Sequence, residues 1–389
     1  MIGRMTYELA EGIGPMRGVK VDEVAGIGPG PHACMILADL GADVIRVDRP
    51  GGGMFASGRG DLLNRGRPSV ALDLKQPAAV EMVLRLVEGA DVLVEGMRPG
   101  AIERLGLGPE ECHARNPRLV YGRMTGWGQE GPWAHAAGHD MNYIAITGAL
   151  HGLGQDRERP HFPSNLLGDF GGGSTYLVIG ILAALLEART SGQGQVVDAA
   201  IVDGTAHLNA IASTFAAVGL DSGRRASGLL DGGTPWYDVY ETADGRHVSV
   251  GALEPQFWAE LVARIGVELP DRDDPANHAT IRGALTRRFR ERTQAEWAAV
   301  FDGTDACVAP VVPLSEAPSH PHLAARGTFV ERDGVTQPAP APRFSRTGAS
   351  LGAPPALPGE HTRAALAAWG IDDVDTLIAA GAAVQADEV

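Results

Sequence analysis

Between residues 19 and 122 the chain repeats one pattern, a short run of β-branched residues followed by a helix-like segment, and no other feature restricts the fold as strongly. Val19, Val21 and Val24 predict a strand that ends in Gly26-Ile27-Gly28-Pro29-Gly30-Pro31. A helix over 32–40, closed by Gly41, and a strand through Val44, Ile45 and Val47 complete a βαβ unit. The alternation continues with strands at 69–74, 91–95 and 119–122 and helices at 77–87 and 109–115. Parallel strands need crossover connections, which helices supply, so the repetition predicts an α/β fold. Its sheet is largely parallel and twisted, with ligands near the carboxyl ends of the strands.

Basic residues fall at those ends: Arg49, Lys75, Arg98 and, nearby, Arg104. Together they suit phosphates, although single arginines and lysines are ordinarily solvated surface charges. The first glycine loop, with Asp48 at the end of the second strand, invites a dinucleotide reading. The spacing opposes it, because Pro31 stands where the last glycine of that fingerprint belongs.

Further along, a strand at 195–200 and an Ala-rich helix at 202–218 precede a Gly/Asp/Ser-rich stretch. The texture then changes: segments 237–242 and 247–252 flank Asp244-Gly245, a hairpin signal, and helices at 255–265, 279–290 and 294–301 lead to a strand at 307–312. The expected organisation is an N-terminal extension (1–16), a large α/β domain (17–218), a linker (219–234), a smaller α+β domain (235–330), a Pro/Ala-rich linker (331–357), and C-terminal helices (358–389) returning to the large domain.

A net charge of −15 opposes diffuse binding to nucleic acid or to an anionic membrane. Cys34, Cys112 and Cys307 are odd in number and far apart, so neither a disulfide framework nor a metal site is expected. The first residues lack a signal-peptide core, and the longest apolar run, 176–186, falls short of the roughly 20 residues a membrane-spanning helix needs. The expectation is a cytoplasmic enzyme without a membrane span.

The chemistry concentrates in two stretches. In the second, Asp169 is a suitable helix N-cap ahead of an apolar run that reaches Leu186, with Gly171, Gly172 and Gly173 in the first turn. Each glycine costs about 0.8–1 kcal/mol inside a helix, so the group needs a compensating use. Close approach of an oxyanion to main-chain amides is one; tight helix packing is the other. The first stretch carries His139 in a Gly-bounded loop. Glu254 precedes a helix with Pro255 at its first position, where glutamate is not a favoured cap. A carboxylate beside a histidine fixes its tautomer and supports its cationic form, and Asp169 would be a second base, on the opposite face of a carbon acid.

Five segments together resemble one family: Ala25-Gly26-Ile27-Gly28-Pro29-Gly30-Pro31-His32-Ala33, Arg123-Met124-Thr125-Gly126-Trp127-Gly128-Gln129, Ala137-Gly138-His139-Asp140-Met141-Asn142-Tyr143, Gly168-Asp169-Phe170-Gly171-Gly172-Gly173 and Val250-Gly251-Ala252-Leu253-Glu254-Pro255-Gln256-Phe257. They are similar to the α-methylacyl-CoA racemases of the family III CoA-transferase superfamily. The likeness covers nearly the whole chain after residue 16; Met141 departs from the family's usual isoleucine. It implies a large Rossmann-like domain, a small α+β domain and an interlocked homodimer in which one subunit's small domain completes the other's site. It implies His139 and Asp169 as the acid/base pair, with Glu254 supporting the histidine across the subunit interface. For CoA it implies Arg49, Leu72, Asp73, Leu74, Lys75, Gly96, Met97, Arg98, Arg104, Gly138, Asp140, Met141, Asn142 and Tyr143. The main-chain amides of Asp169 and Gly171 are the expected oxyanion donors. The expected reaction is epimerisation of 2-methylacyl-CoA by proton removal and return through an enolate, with no metal or organic cofactor, coenzyme A being part of the substrate. Two rivals are a CoA-transferase using Asp169 as nucleophile and a non-catalytic acyl-CoA-binding protein.

Overall fold

The computed structural model describes residues 12–52, 58–155 and 159–386. Most of the expected extension lies outside them. Its last residues are not loosely held: Met16 is buried and its amide donates to the Leu40 carbonyl at 2.9 Å.

The predicted alternation is present as β1 (Lys20–Val24), α1 (Pro29–Asp39), β2 (Asp43–Asp48), β3 (Ser69–Leu72), α2 (Pro77–Gly89), β4 (Val92–Glu95), α3 (Ala101–Arg104), α4 (Pro109–Arg115) and β5 (Val120–Thr125). Prolines start α1, α2 and α4, where the missing N–H costs nothing and the fixed φ suits a first turn. There follow α5 (Asp140–Ile146), α6 (Ala149–Gly152), a π-helical segment (Leu166–Ser174) running into α7 (Thr175–Ser191), and β6 (Val196–Ala200). The helix expected over 202–218 is two, α8 (Ile201–Leu208) and α9 (Ala210–Ala217), interrupted at Asn209. Then come β7 (Tyr237–Glu241), β8 (His247–Gly251), α10 (Pro255–Ile265), α11 (His278–Phe289), α12 (Gln294–Phe301), β9 (Val308–Val311), α13 (Pro321–Arg326), β10 (Phe329–Arg332), β11 (Val335–Pro338), α14 (Thr362–Ala368), α15 (Val374–Ala379) and β12 (Ala383–Val384). The Pro/Ala-rich stretch therefore begins as a hairpin strand, since β11 pairs antiparallel with β10.

The chain divides into two compact units. The larger comprises Met1–Thr147, Pro163–Leu208 and Gly327–Val389. Its sheet runs β12-β3-β2-β1-β4-β5-β6, parallel throughout except for β12, which pairs antiparallel with β3. The parallel part has the Rossmann order 3-2-1-4-5-6, with the change of direction between β1 and β4. On one face Val24, Ile45, Val70 and Leu72 pack with Met82, Val83 and Leu86 of α2 and with Leu366 and Leu377 of the C-terminal helices. On the other Val21, Val44, Val92 and Val120 pack with Cys34 and Leu37 of α1 and Leu177 and Ile181 of α7. Each such side chain contributes roughly 1.5–3 kcal/mol relative to exposure.

The helix through the π segment and α7 is continuous over 26 residues, long and apolar enough by length and composition to cross a bilayer, so the shorter run seen in the sequence understated it. Leu177, Val178, Ile181 and Ala184 are nevertheless buried against the sheet, which is how a core helix is used.

The smaller unit comprises Gly148–Phe162 and Asn209–Arg326. An antiparallel sheet, β7-β8-β9, carries α10, α11 and α12 around Tyr240, Val248, Phe289, Trp297 and Phe301. Gly245 makes the predicted turn between β7 and β8 with φ 73°.

Candidate active site

The strand order reverses between β1 and β4, and outside the carboxyl ends of β1, β4 and β5 there is a cavity of about 430 Å³. Its walls are the glycine loop from Gly26 to Pro31, Gly96-Met97-Arg98-Pro99, Thr125-Gly126-Trp127 and Ala137-Gly138-His139, with Tyr143 and Asp169. A crevice at such a reversal is where ligands bind to open α/β sheets.

Asp169 is not the helix N-cap the sequence predicted. The helix starts at Leu166 and widens: the Phe170 amide reaches back five residues to the Asn165 carbonyl at 3.4 Å, leaving Asp169 inside the π-helical segment. Such widened turns concentrate at functional sites. Asp169 is half-buried, and Gly28 adjoins its carboxylate so closely that a Cβ at Gly28 would lie 3.4 Å from Oδ2. Burial, the largest cause, raises the Asp169 pKa; the Asn165 amide and His139 oppose the rise and Asp140 adds to it. Desolvation within the chain itself thus outweighs the two side chains that favour the ionised carboxylate.

The oxyanion expectation is corrected by the same geometry. The Asp169 amide donates to Asp140 Oδ2 at 2.7 Å and is already taken. Gly171 falls beyond the first turn of a helix that begins at Leu166, outside the stretch of unpaired amides. The glycines serve packing instead. A Cβ on Gly172 would meet the Thr205 amide nitrogen at 2.7 Å, and one on Gly173 would meet Ile201 Cγ1 at 3.0 Å.

His139 is exposed at the first residue before α5, a helix where the sequence suggested only a loop. Its amide donates to Asn142 Oδ1 at 3.1 Å and the Asn142 amide returns to the His139 carbonyl at 2.8 Å. The Tyr143 hydroxyl donates to the Gly138 carbonyl, and Trp127 packs edge-on to Tyr143 at 4.7 Å. Gly126 and Gly138 are required there, since a Cβ at either would strike the Tyr143 ring.

Of the residues expected to hold CoA, Gly96, Met97, Arg98, Gly138 and Tyr143 line the cavity. Arg49, Lys75 and Arg104 stand at or near the same edge of the sheet. Among the described residues these three and Arg98 make no ion pair with a carboxylate, whereas buried Arg46, Arg65, Arg67 and Arg123 all do. Three others have side chains engaged within the protein. Leu72 is a core side chain, Asp140 is buried against the π-helical segment, and the Asn142 side-chain oxygen is occupied by the His139 amide. Asp73 accepts from the Lys75 amide at 3.2 Å and the Gln76 side chain at 3.1 Å, Leu74 packs on the core, and Met141 is exposed. Asp48 is engaged by Arg46 and Ser69, so it is not free for a ribose.

Sequence reasoning missed Glu95, fully buried at the end of β4. It accepts the Met97 amide at 2.7 Å and Arg123 Nε at 2.9 Å, and so shapes the loop that presents Arg98. An acidic residue ending an apolar strand just before a glycine was the available signal. Glu254 belongs to the smaller unit, at the residue before α10; its exposed side chain makes no capping bond. The two carbonyls before it, of Ala252 and Leu253, are held by Arg272 at 3.0 and 2.9 Å, and that guanidinium lies over Trp236 and Trp258. Among the described residues no three His, Cys, Asp or Glu side chains are grouped to hold a metal ion.

A sequence profile described as CoA-transferase family III matches residues 16–362. The chain is 43% identical to an alpha-methylacyl-CoA racemase of Mus musculus over 93% of its own length and 95% of that protein's. It is 42% identical to one of Homo sapiens, covering 91% and 93%. Among solved structures it resembles a CAIB/BAIF family protein from Brucella suis, with a TM-score of 0.81 and 27% identity over 92% of this chain and all of that one.

Proposed function

The chain belongs to CoA-transferase family III, and from that premise we propose that it is an isomerase that epimerises 2-methylacyl-CoA thioesters. The observation that carries this reading is His139 and Asp169 on the wall of one cavity, the second with its proton affinity raised by burial. A carboxylate and an imidazole of this kind suit removal and return of a weakly acidic proton. His139 takes the α-proton from one epimer and Asp169 from the other; the planar enolate between them is reprotonated on the opposite face.

Charge on the thioester oxygen falls to the amides of Asp140 and Met141, the first two of α5, which precede the first carbonyl-bonded amide of that helix, Asn142. Arg49, Lys75, Arg98 and Arg104 attract the CoA phosphates. Glu254 orients His139 from a second copy of the chain. The chemistry needs no metal or organic cofactor, because the thioester itself makes the α-proton acidic. Association into a homodimer is supported by the apolar residues Ile179, Leu182 and Leu186 that α7 leaves exposed, together with Val196 of edge strand β6. Unpaired Cys34, Cys112 and Cys307 fit a reducing compartment, the cytoplasm.

The test is incubation of a single (2R)- or (2S)-2-methylacyl-CoA in heavy water. Deuterium uptake at the α-carbon with loss of optical purity supports epimerisation. Movement of CoA to a carboxylic acid without exchange establishes the transferase instead, and binding without either reaction establishes a carrier.

A further inference from the structure

Asp140 is only 5% exposed, so its carboxylate is withdrawn from the ligand edge of the sheet. Oδ2 accepts the Asp169 amide at 2.7 Å, while Oδ1 is buried with no partner among the described residues. The approach is possible only because residue 168 is glycine. A Cβ there would lie 2.5 Å from Asp140 Oδ2 and 2.8 Å from its Cγ. Asp140 therefore follows His139 directly in the chain and is bonded to the main chain of Asp169.

We propose that Asp140 is a positioning residue for Asp169: it fixes the main chain of Asp169 against the loop that bears His139 and sets a second negative charge beside its carboxylate. The inference rests on the reading of Asp169 as an acid/base group. Three side chains act on the charge of Asp169: Asn165, whose Nδ2 donates to Oδ2 at 3.3 Å, His139, which favours the ionised form, and Asp140, which opposes it. Tyr143, on α5 with Asp140, is held by the Gly138 carbonyl. From α1 the facing titratable group is His32, bonded to Ser174 Oγ at 2.6 Å; from α8 it is His207, bonded to the Tyr176 hydroxyl at 2.7 Å, and Asp203. Arg98 lies across the cavity. Of these, Asp140 is the group whose removal weakens Asp169 as a base.

Asp140→Asn keeps an oxygen that can accept the Asp169 amide but removes the charge; Gly168→Ala keeps the charge but displaces the carboxylate. The experiment follows kcat/KM for α-deuterium exchange against pH from each epimer, with Asp169→Asn identifying the epimer that Asp169 deprotonates. For that epimer, Asp140→Asn is expected to move the acidic limb down by about 0.5–1 pH unit. Gly168→Ala is expected to lower the rate about tenfold or more, chiefly in the same direction. A merely structural role lowers both directions alike and leaves the limb in place, and that result overturns the proposal. If Asp169→Asn itself retains exchange from both epimers, the acid/base reading of Asp169 falls; if it does not, and the limb stays, only the role of Asp140 falls.

Discussion

Two glycine-rich stretches of the larger unit look alike in sequence and are used differently. The loop from Gly26 to Gly30 and the segment from Gly168 to Gly173 both border helices, and either could have cradled an anion. In the first, Gly26 and Gly30 face open space and Gly28 takes φ 71° and ψ −112° beside Asp169; its glycines shape a cavity wall. In the second, Gly172 and Gly173 are pressed into neighbouring helices, and Gly204 of α8 closes reciprocally on the Gly172 carbonyl. Prolines at 29 and 31 also strip the start of α1 of two amide donors. A glycine motif reports close approach; what approaches is set by the partner element.

The sharpest way to break this contrast is Gly172→Ala. With Thr205 N and Ile201 O at 2.7 and 3.0 Å from the new Cβ, a loss of about 3 kcal/mol or more is expected, read as failure to fold or a large drop in Tm. Gly28→Ala should instead cost about 1–3 kcal/mol for its backbone conformation. Proton exchange should fall by about tenfold as the strained loop shifts beside Asp169, with thermal unfolding still cooperative. Equal loss of stability in the two variants would erase the distinction.

In β1, ahead of the first loop, Asp22 is fully buried with neither oxygen partnered among the described residues, and burial, aided by Glu23, pushes its pKa from 3.8 to about 8. The fold keeps a proton that the unfolded chain releases, so stability falls as pH rises from about 4 to about 8. Asp22→Asn should flatten that decline and raise Tm by several degrees at pH 8 with little change at pH 4, measured by calorimetry across pH. Smallest of all, Gly26→Ala should shift stability by no more than about 0.5 kcal/mol, because nothing lies within 4 Å of its Cβ position.

Much of the larger unit was legible because its signals are local. Period-two and helical runs marked β1 to β5, and Pro77 and Pro109 marked helix starts to the residue, as Pro255 did in the smaller unit. The basic residues at strand ends were visible for the same reason, since strand direction follows from the βα alternation. Other features depend on partners distant in sequence. The widening that takes Asp169 into the helix, the bond from Asp140, the interruption at Asn209 and the antiparallel pairing of Ala383 with Leu72 leave no local periodicity to read.

By itself the order of residues determined the alternating elements, the parallel sheet and which side chains are chemically able to move a proton, because propensity, period and residue type act over a few neighbours. Only the tertiary structure decided which of those groups share one cavity, which glycines touch helices and which border ligand space, and how strongly Asp169 holds its proton. Those outcomes depend on burial and on contacts such as that between residues 140 and 169, and desolvation is a property of the assembled interior.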